Sequence, residues 1–413
     1  MQRKRSTLAL TAVFAVAFAL TTAQAFAHST SKVIFRLYNK FGYAPSGTLV
    51  FDAAGNLYGL AQSGGPFNKG SVFQLTPGTD GKWTGKVIHA FGGHSGDGAQ
   101  PMGGLVLDSA GNLYGTTFAG GSHGSGTAFE LVRGASGWSE IVLHNFGHAS
   151  DGAQPVAGLI FDKAGNLYGT TYGGGKNKGG TIFQLVPEGK GHWTENVLYA
   201  FCPVTGCADG RAPQAGVILD AAGNLYGTTS LGGNSNYGED GVVFELSSSG
   251  GLWTETVLYT FCSTSGCPGG ANPMSGLIFD AAGNLYGTTS GETNSGAAFE
   301  LTPGAGTWTE NTVLTFCCSK TGLKPNGPLV FDAAGNLYGT TELGTRYGYG
   351  VAFELTPSHG TWTETILHYF GVGSDDGIEP SGGLIFDSAG NLYGVTLSGG
   401  GGNSTGTVFE ITP

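Results

Sequence analysis

Nine histidines, six cysteines and 29 carboxylates carry the reactive chemistry of this 413-residue chain. His94, His123 and His148 fall in loops, with Asp97 and Asp151 a few residues from two of them. Imidazole with carboxylate is a donor set for a divalent metal, and a metal there would make the protein a lyase or hydrolase. Three solvated loop histidines are the plainer account, and the surrounding Gly and Ser favour it. His89, His144 and His368 instead share one repeated strand position, filled elsewhere by Tyr199, Tyr259 or Thr315. That interchange reads as structural. Among the cysteines, Cys202/Cys207 ("CPVTGC") and Cys262/Cys267 ("CSTSGC") hold equivalent positions. In an exported protein such local pairs are expected to be disulfides; a zinc site shared among the cysteines is the alternative. Cys317 and Cys318 are adjacent, so a bond between them would be a strained ring, and free thiols are the other reading.

Other catalytic signatures are absent or out of place. No HExxH occurs. GxSxG patterns at Ser122 and Ser404 lie in Gly-rich loops rather than at the strand-to-helix turn a nucleophile elbow needs. No pair of carboxylates stands out as the two a glycosidase requires. Glu130, Glu245, Glu300, Glu354 and Glu410 recur at one position that holds Gln74 and Gln184 in two copies. Glu and Gln share an acceptor but not a charge, so a ladder hydrogen bond is expected there. All six Trp open the same kind of strand, a register that predicts packing rather than ligand stacking.

These residues are carried by a repeat. "FDAAGNLYGTT" stands at 331–341, and near-copies place its Asp at Asp52, Asp108, Asp162, Asp220, Asp280, Asp332 and Asp387. In the third copy "GLIFD" reads as a strand buried on both faces, "KAG" as a turn, and "NLYGTT", "TIFQLVP" and "WTENVLYAF" as three further strands. Four antiparallel strands in about 55 residues cannot bury their own faces; stacked around an axis they form a β-propeller. Seven copies predict an all-β, seven-bladed propeller; an open solenoid is the competing reading. The last copy stops after its third strand at "GTVFEITP", and the early segment "SKVIFRLYNKF" reads as an orphan fourth strand that completes blade seven and closes the ring. The repeated Asp reads as a turn residue. One carboxylate per turn is too few for Ca²⁺, which takes six to eight oxygens.

The phrases "GLIFDAAGNLYGTT" and "WTETVLYTF", with strands like "GTVFEITP", resemble the GloVer tandem repeat of bacterial choice-of-anchor proteins, over essentially all of residues 31–413. The first two strands are also similar to NHL-type propeller repeats. The resemblance implies secretion and often surface attachment, with no defined activity. No sorting tail precedes Pro413, which points to a released or periplasmic protein.

Residues 1–27 carry Arg3, Lys4 and Arg5, an apolar run and an Ala25-Phe26-Ala27 cleavage pattern, as expected of a signal peptide; residues 28–413 form the propeller. Losing those three cations takes the net charge from −11 to −14. With 11% charged residues and no Lys/Arg cluster, nucleic acid is an unsuitable partner. No second apolar stretch predicts a membrane span in the mature chain.

In a propeller the one–two and three–four turns share one face, and the two–three and four–one loops share the other. The first face carries the near-constant "DAAG" turns; the second carries the varied loops, where a rigid scaffold presents a binding surface. Candidate ligand contacts there are Phe67, Phe118, Tyr172, Tyr237, Tyr347 and Tyr349, the cations Arg211 and Arg346, and Asp209 and Asp376 of Asp-Gly-x-x-Pro loops. The expectation is a secreted, non-catalytic module for an extracellular glycan or protein, without cofactor. A metal-dependent propeller enzyme and a structural cell-envelope protein are the alternatives.

Overall fold

Short alternating segments separated by Gly-rich turns form strands throughout the computed structural model. It describes residues 29–413 except 190, 205, 234–237, 264–266, 268, 292–295 and 403–404, and except the side chains of 318–319. The expected signal peptide and Tyr237 lie outside the described residues. Seven antiparallel sheets follow one another as blades, the first six with their strands in chain order from axis to rim, and a two-stranded pair of Gly152–Ala153 with Gly173–Gly174 adjoins the third. Blade one contains Tyr43–Phe51, Leu57–Ser63, Ser71–Pro77 and Trp83–Ala90. Blade seven takes Gly377–Phe386, Leu392–Gly399 and Thr407–Thr412 from one end of the chain and Thr30–Arg36 from the other. The register runs from Thr30 opposite Thr412 to Arg36 opposite Thr407. The ring is therefore closed by strand pairing, and the chain is a seven-bladed propeller.

The inner strand differs from its expected form. In blades three to six the segment just before the repeated Asp pairs over two residues, as at Ile160–Phe161, and both are half-buried. The residues before them leave the sheet for the axis, where small residues pack across blades. A Cβ on Gly47 would lie 2.1 Å from the Gly103 carbonyl oxygen, and one on Gly103 would lie 2.3 Å from the Ala157 carbonyl carbon. Gly382 approaches Gly47 in the same way, completing the contact across the closure.

The hydrophobic core lies between blades rather than within them. At six seams the Phe at or just after the end of the outer strand meets the third-strand Phe of the next blade edge-on or tilted, as in Phe91–Phe129 at 5.1 Å and Phe370–Phe409 at 5.0 Å. Each such buried ring contributes about 2–3 kcal/mol. The invariable Gly after the second-strand Tyr makes room for it: a Cβ on Gly169 would stand 2.5 Å from the Phe183 ring. Each ring–ring Trp contact is also between blades, Trp138 on Tyr58 and Trp83 on Tyr393 among them.

The repeated Asp is consumed by its own turn. Asp52 Oδ1 accepts the Ala54 and Asn56 amides, and Oδ2 accepts the Asn56 side chain and the Tyr58 hydroxyl. Burial raises its pKa, but these bonds together hold it below the usual carboxylate value. The recurring strand-three Glu bonds across the ladder to the second-strand Tyr that faces it. In blade two the Tyr114 hydroxyl donates to Glu130 Oε1 at 2.7 Å, and blades four, five and six repeat the bond. Gln184 instead donates to the Tyr168 hydroxyl, which is why Glu and Gln interchange.

Candidate functional site

Inner strands bring one segment of every copy to the axis, where it forms a cavity of ≈ 400 Å³. Met102, Val156, Gln214, Met274 and Asn326 project around the ring of small residues, and none of the described lining residues is acidic, basic or histidine.

The cavity opens toward blades four to six into a second space of ≈ 560 Å³ that shares Gln214, Met274 and Asn326 with it. Asn272, Lys324 and Glu342 also line it, with the hydroxyls of Ser230 and Ser290. The polar groups are fixed by one another. Gln214 Nε2 donates to Ser230 Oγ at 2.9 Å, Asn272 Nδ2 to the Ser230 carbonyl at 3.0 Å, and Asn326 Nδ2 to Glu342 Oε2 at 3.0 Å. Asn326 Oδ1 is buried with no hydrogen-bond partner, leaving an acceptor at the junction of the two spaces.

The backbone under this mouth is strained in a regular way. The residue before each inner-strand Pro has positive φ, from 50° at Ala44 to 61° at Gln154, and Asn272 and Lys324 belong to the series at 55° and 56°. Such residues cost about 1–3 kcal/mol each and persist where neighbours over-determine them. Here the amide donates into the preceding blade's loop, as Gln154 to Ser125 and Asn272 to Asp240, each at 2.8 Å. The mouth is thus stapled blade to blade.

The aromatic candidates Phe67, Tyr172, Tyr347 and Tyr349 are exposed, and Phe118 is half-buried. Arg346 lies 5.7 Å from the Tyr347 ring. Arg211 is held by Glu239, with Nη2–Oε2 at 2.6 Å. Asp209 and Asp376 turn inward: Asp209 accepts the Tyr199 hydroxyl and the Cys202 amide, and Asp376 meets His368 Nε2 at 3.1 Å. Cys202–Cys207 and Cys262–Cys267 are disulfides with Cα separations of 4.2 and 4.3 Å. Cys317 is exposed.

His94 lies 3.2 Å from Glu140 Oε2, and the His123 and His148 rings stand 5.5 Å apart. The tighter histidine clusters are elsewhere. Among the described residues, two groups bring three donor atoms within 4.8 Å of one another: His89, Asp97 and Glu140, and His144, Asp151 and Glu195. They use the strand-four histidines that the sequence reads as purely structural. Gln214, Asn272, Lys324, Asn326 and Glu342 also escaped the sequence reading. The signal for the first four is variation on either side of the inner-strand Pro, and for Glu342 variation just after the second strand, where other copies have Phe118, Tyr172, Ser230 or Ser290.

A Gloeobacter/Verrucomicrobia repeat model matches residues 16–131, 44–292 and 239–413. The chain belongs to the Gloeobacter/Verrucomicrobia repeat family. No curated protein matches this family member in sequence. Its fold is similar to virginiamycin B lyase from Staphylococcus aureus, with TM-score 0.52 and 15% identity over 94% of this chain and 100% of that one. It is also similar to the PL25 ulvan lyase, a polysaccharide lyase, with TM-score 0.53 and 10% identity over 91% and 95% of the two chains. At these identities the repeat-family chain shares a fold with them, and the likeness extends no further.

Proposed function

We propose that the protein is a non-catalytic, extracellular binding module that holds a glycan at the mouth of its axial channel, over blades four to six. The observation that carries this reading is the convergence of three amides, two hydroxyls, Lys324 and Glu342 on the second cavity, above an axial space whose described lining has no titratable group. Amide and hydroxyl groups match the paired donors and acceptors of sugar hydroxyls, and Met274 offers an apolar surface to a sugar face. The exposed rings of Tyr172, Tyr347 and Tyr349 widen the surface for a longer chain. Two disulfides in the loops leaving blades three and four and the apolar leader of residues 1–27 suit an oxidising compartment.

The test is a glycan array with the mature protein, followed by titration of any hit against Gln214→Ala and Asn326→Ala. Each variant removes about one hydrogen bond, so affinity should fall about tenfold per variant with melting unchanged. Binding that survives both substitutions would overturn the location. Release of new reducing or unsaturated ends from a bound polysaccharide would overturn the non-catalytic reading. Capture of a protein with no glycan hit would identify the other ligand class.

A further inference from the structure

We propose that the seams between blades one and two and between blades two and three each bind a divalent transition-metal cation of the zinc class, through His89, Asp97 and Glu140 and through His144, Asp151 and Glu195. The inference is independent of the glycan reading, since these groups lie at the outer strands rather than the axis.

Each cluster is assembled from two copies of the repeat. The histidine comes from the outer strand of one blade, the aspartate from the loop that follows, and the glutamate from the outer strand of the next blade. Donors around a tetrahedral zinc stand about 3.3–3.5 Å apart, given bonds of about 2.0–2.2 Å. His89 Nε2 is 3.5 Å from Asp97 Oδ1 and 3.9 Å from Glu140 Oε2, while His144 Nε2 is 2.9 Å from Asp151 Oδ2. The exposed His94, with Nε2 at 3.2 Å from Glu140 Oε2, is placed to follow as an outer ligand in the first seam.

The second observation is burial of these atoms with ion-pair contacts among themselves and no hydrogen bond. The Asp97 side chain is 0% exposed and that of Glu140 is 3% exposed. Asp97 Oδ1, both Glu140 oxygens and His89 Nε2 are buried and make no hydrogen bond; Asp151 Oδ1 and Glu195 Oε1 repeat this in the next seam. Buried polar atoms are almost always satisfied, and two carboxylates facing one imidazole carry excess negative charge out of water. A proton relieves one oxygen of such a pair; a divalent cation satisfies every orphaned donor together.

The other seams show what the donor set requires. Between blades three and four Tyr199 replaces the histidine and its hydroxyl donates to Asp209, leaving two carboxylates and no imidazole. Between blades six and seven His368 and Asp376 remain, but Ser31, opposite Ile411, takes the register of the glutamate. Between blades seven and one Phe35 fills the notch against Gly85. Among the described residues, the first two seams are the ones that carry all three donors.

The experiment loads chelator-treated protein with zinc chloride, measures bound metal per chain, and repeats the measurement with cobalt(II), whose visible bands report tetrahedral coordination. Two ions per wild-type chain are expected, one in Glu140→Gln and none in Glu140→Gln with Glu195→Gln. Tyr199→His should add a third ion, a gain that does not depend on the loss variants folding. No bound metal in wild type, two ions retained in the double variant, or no gain in folded Tyr199→His would each overturn the proposal. His94→Ala with His123→Ala should leave the count at two; loss of both ions there would move the sites to the loops and overturn it.

Discussion

Glu255 gives the sharpest test of how these seams store charge. It stands in the blade-three seam where Tyr199 has taken the histidine's place. Burial, then the Asp209 carboxylate, pushes it from the usual 4.5 up to about 8. A carboxyl whose folded pKa is raised contributes its full stability below the unfolded value. It loses that stability as pH rises, with the loss complete near the folded value. At about 1.36 kcal/mol per unit, the gap has an upper limit of about 5 kcal/mol at pH 9. Because Glu255 is only half-buried, solvent screening reduces this to about 1–2 kcal/mol. Glu255→Gln has the shape of the protonated acid, and its amide can still donate toward Asp209. It should therefore match wild type within a few tenths of a kcal/mol at pH 5 and exceed it by about 1–2 kcal/mol at pH 9. The assay is urea denaturation of both proteins at the two pH values. A wild-type-to-variant difference that does not change with pH would refute the argument.

Deleting residues 30–36 removes the six cross-strand pairs that close blade seven. It should lower the melting temperature markedly and, by exposing an unpaired edge, produce oligomers detectable by light scattering; unchanged melting would count against closure. As a control, Lys32→Ala breaks only the ion pair of the exposed Lys32 with the buried Glu410 at 2.8 Å and should cost about 1 kcal/mol, far less than the deletion. Gly103→Ala drives a methyl to 2.3 Å from the Ala157 carbonyl carbon and should destabilise by about 1–3 kcal/mol. The reverse change at the neighbouring position, Ala157→Gly, should cost under about 1 kcal/mol in the same denaturation experiment.

Blade number, closure by the early strand, the Cys202–Cys207 and Cys262–Cys267 disulfides and the packing role of Trp were all legible, because each rests on residues that recur in step with the repeat. What stayed hidden are relations between copies. Glu140 looks like one more outward residue in "GWSEIVLH", and only the stacking of blade two on blade one sets it against His89. The strand-three Glu, by contrast, was legible, because its expected ladder bond runs to the facing second-strand Tyr of the same copy. The inner strand was overestimated because its apolar run suits a buried strand and the axial contacts of the preceding Gly equally well. The channel mouth was invisible because Gln214, Asn272 and Asn326 are unremarkable singly and converge only when blades four to six curve around one axis.

The glycine contacts at the axis carry one more consequence. With Gly47, Gly103 and Gly382 already at backbone-to-backbone distance, the circumference cannot shrink to fit a lost copy, and an inserted copy would pull these backbones apart and open the hub to water. The smallest side chains in the molecule thus act as its counter: tandem duplication, which repetitive genes undergo readily, yields here a product whose centre no longer meets.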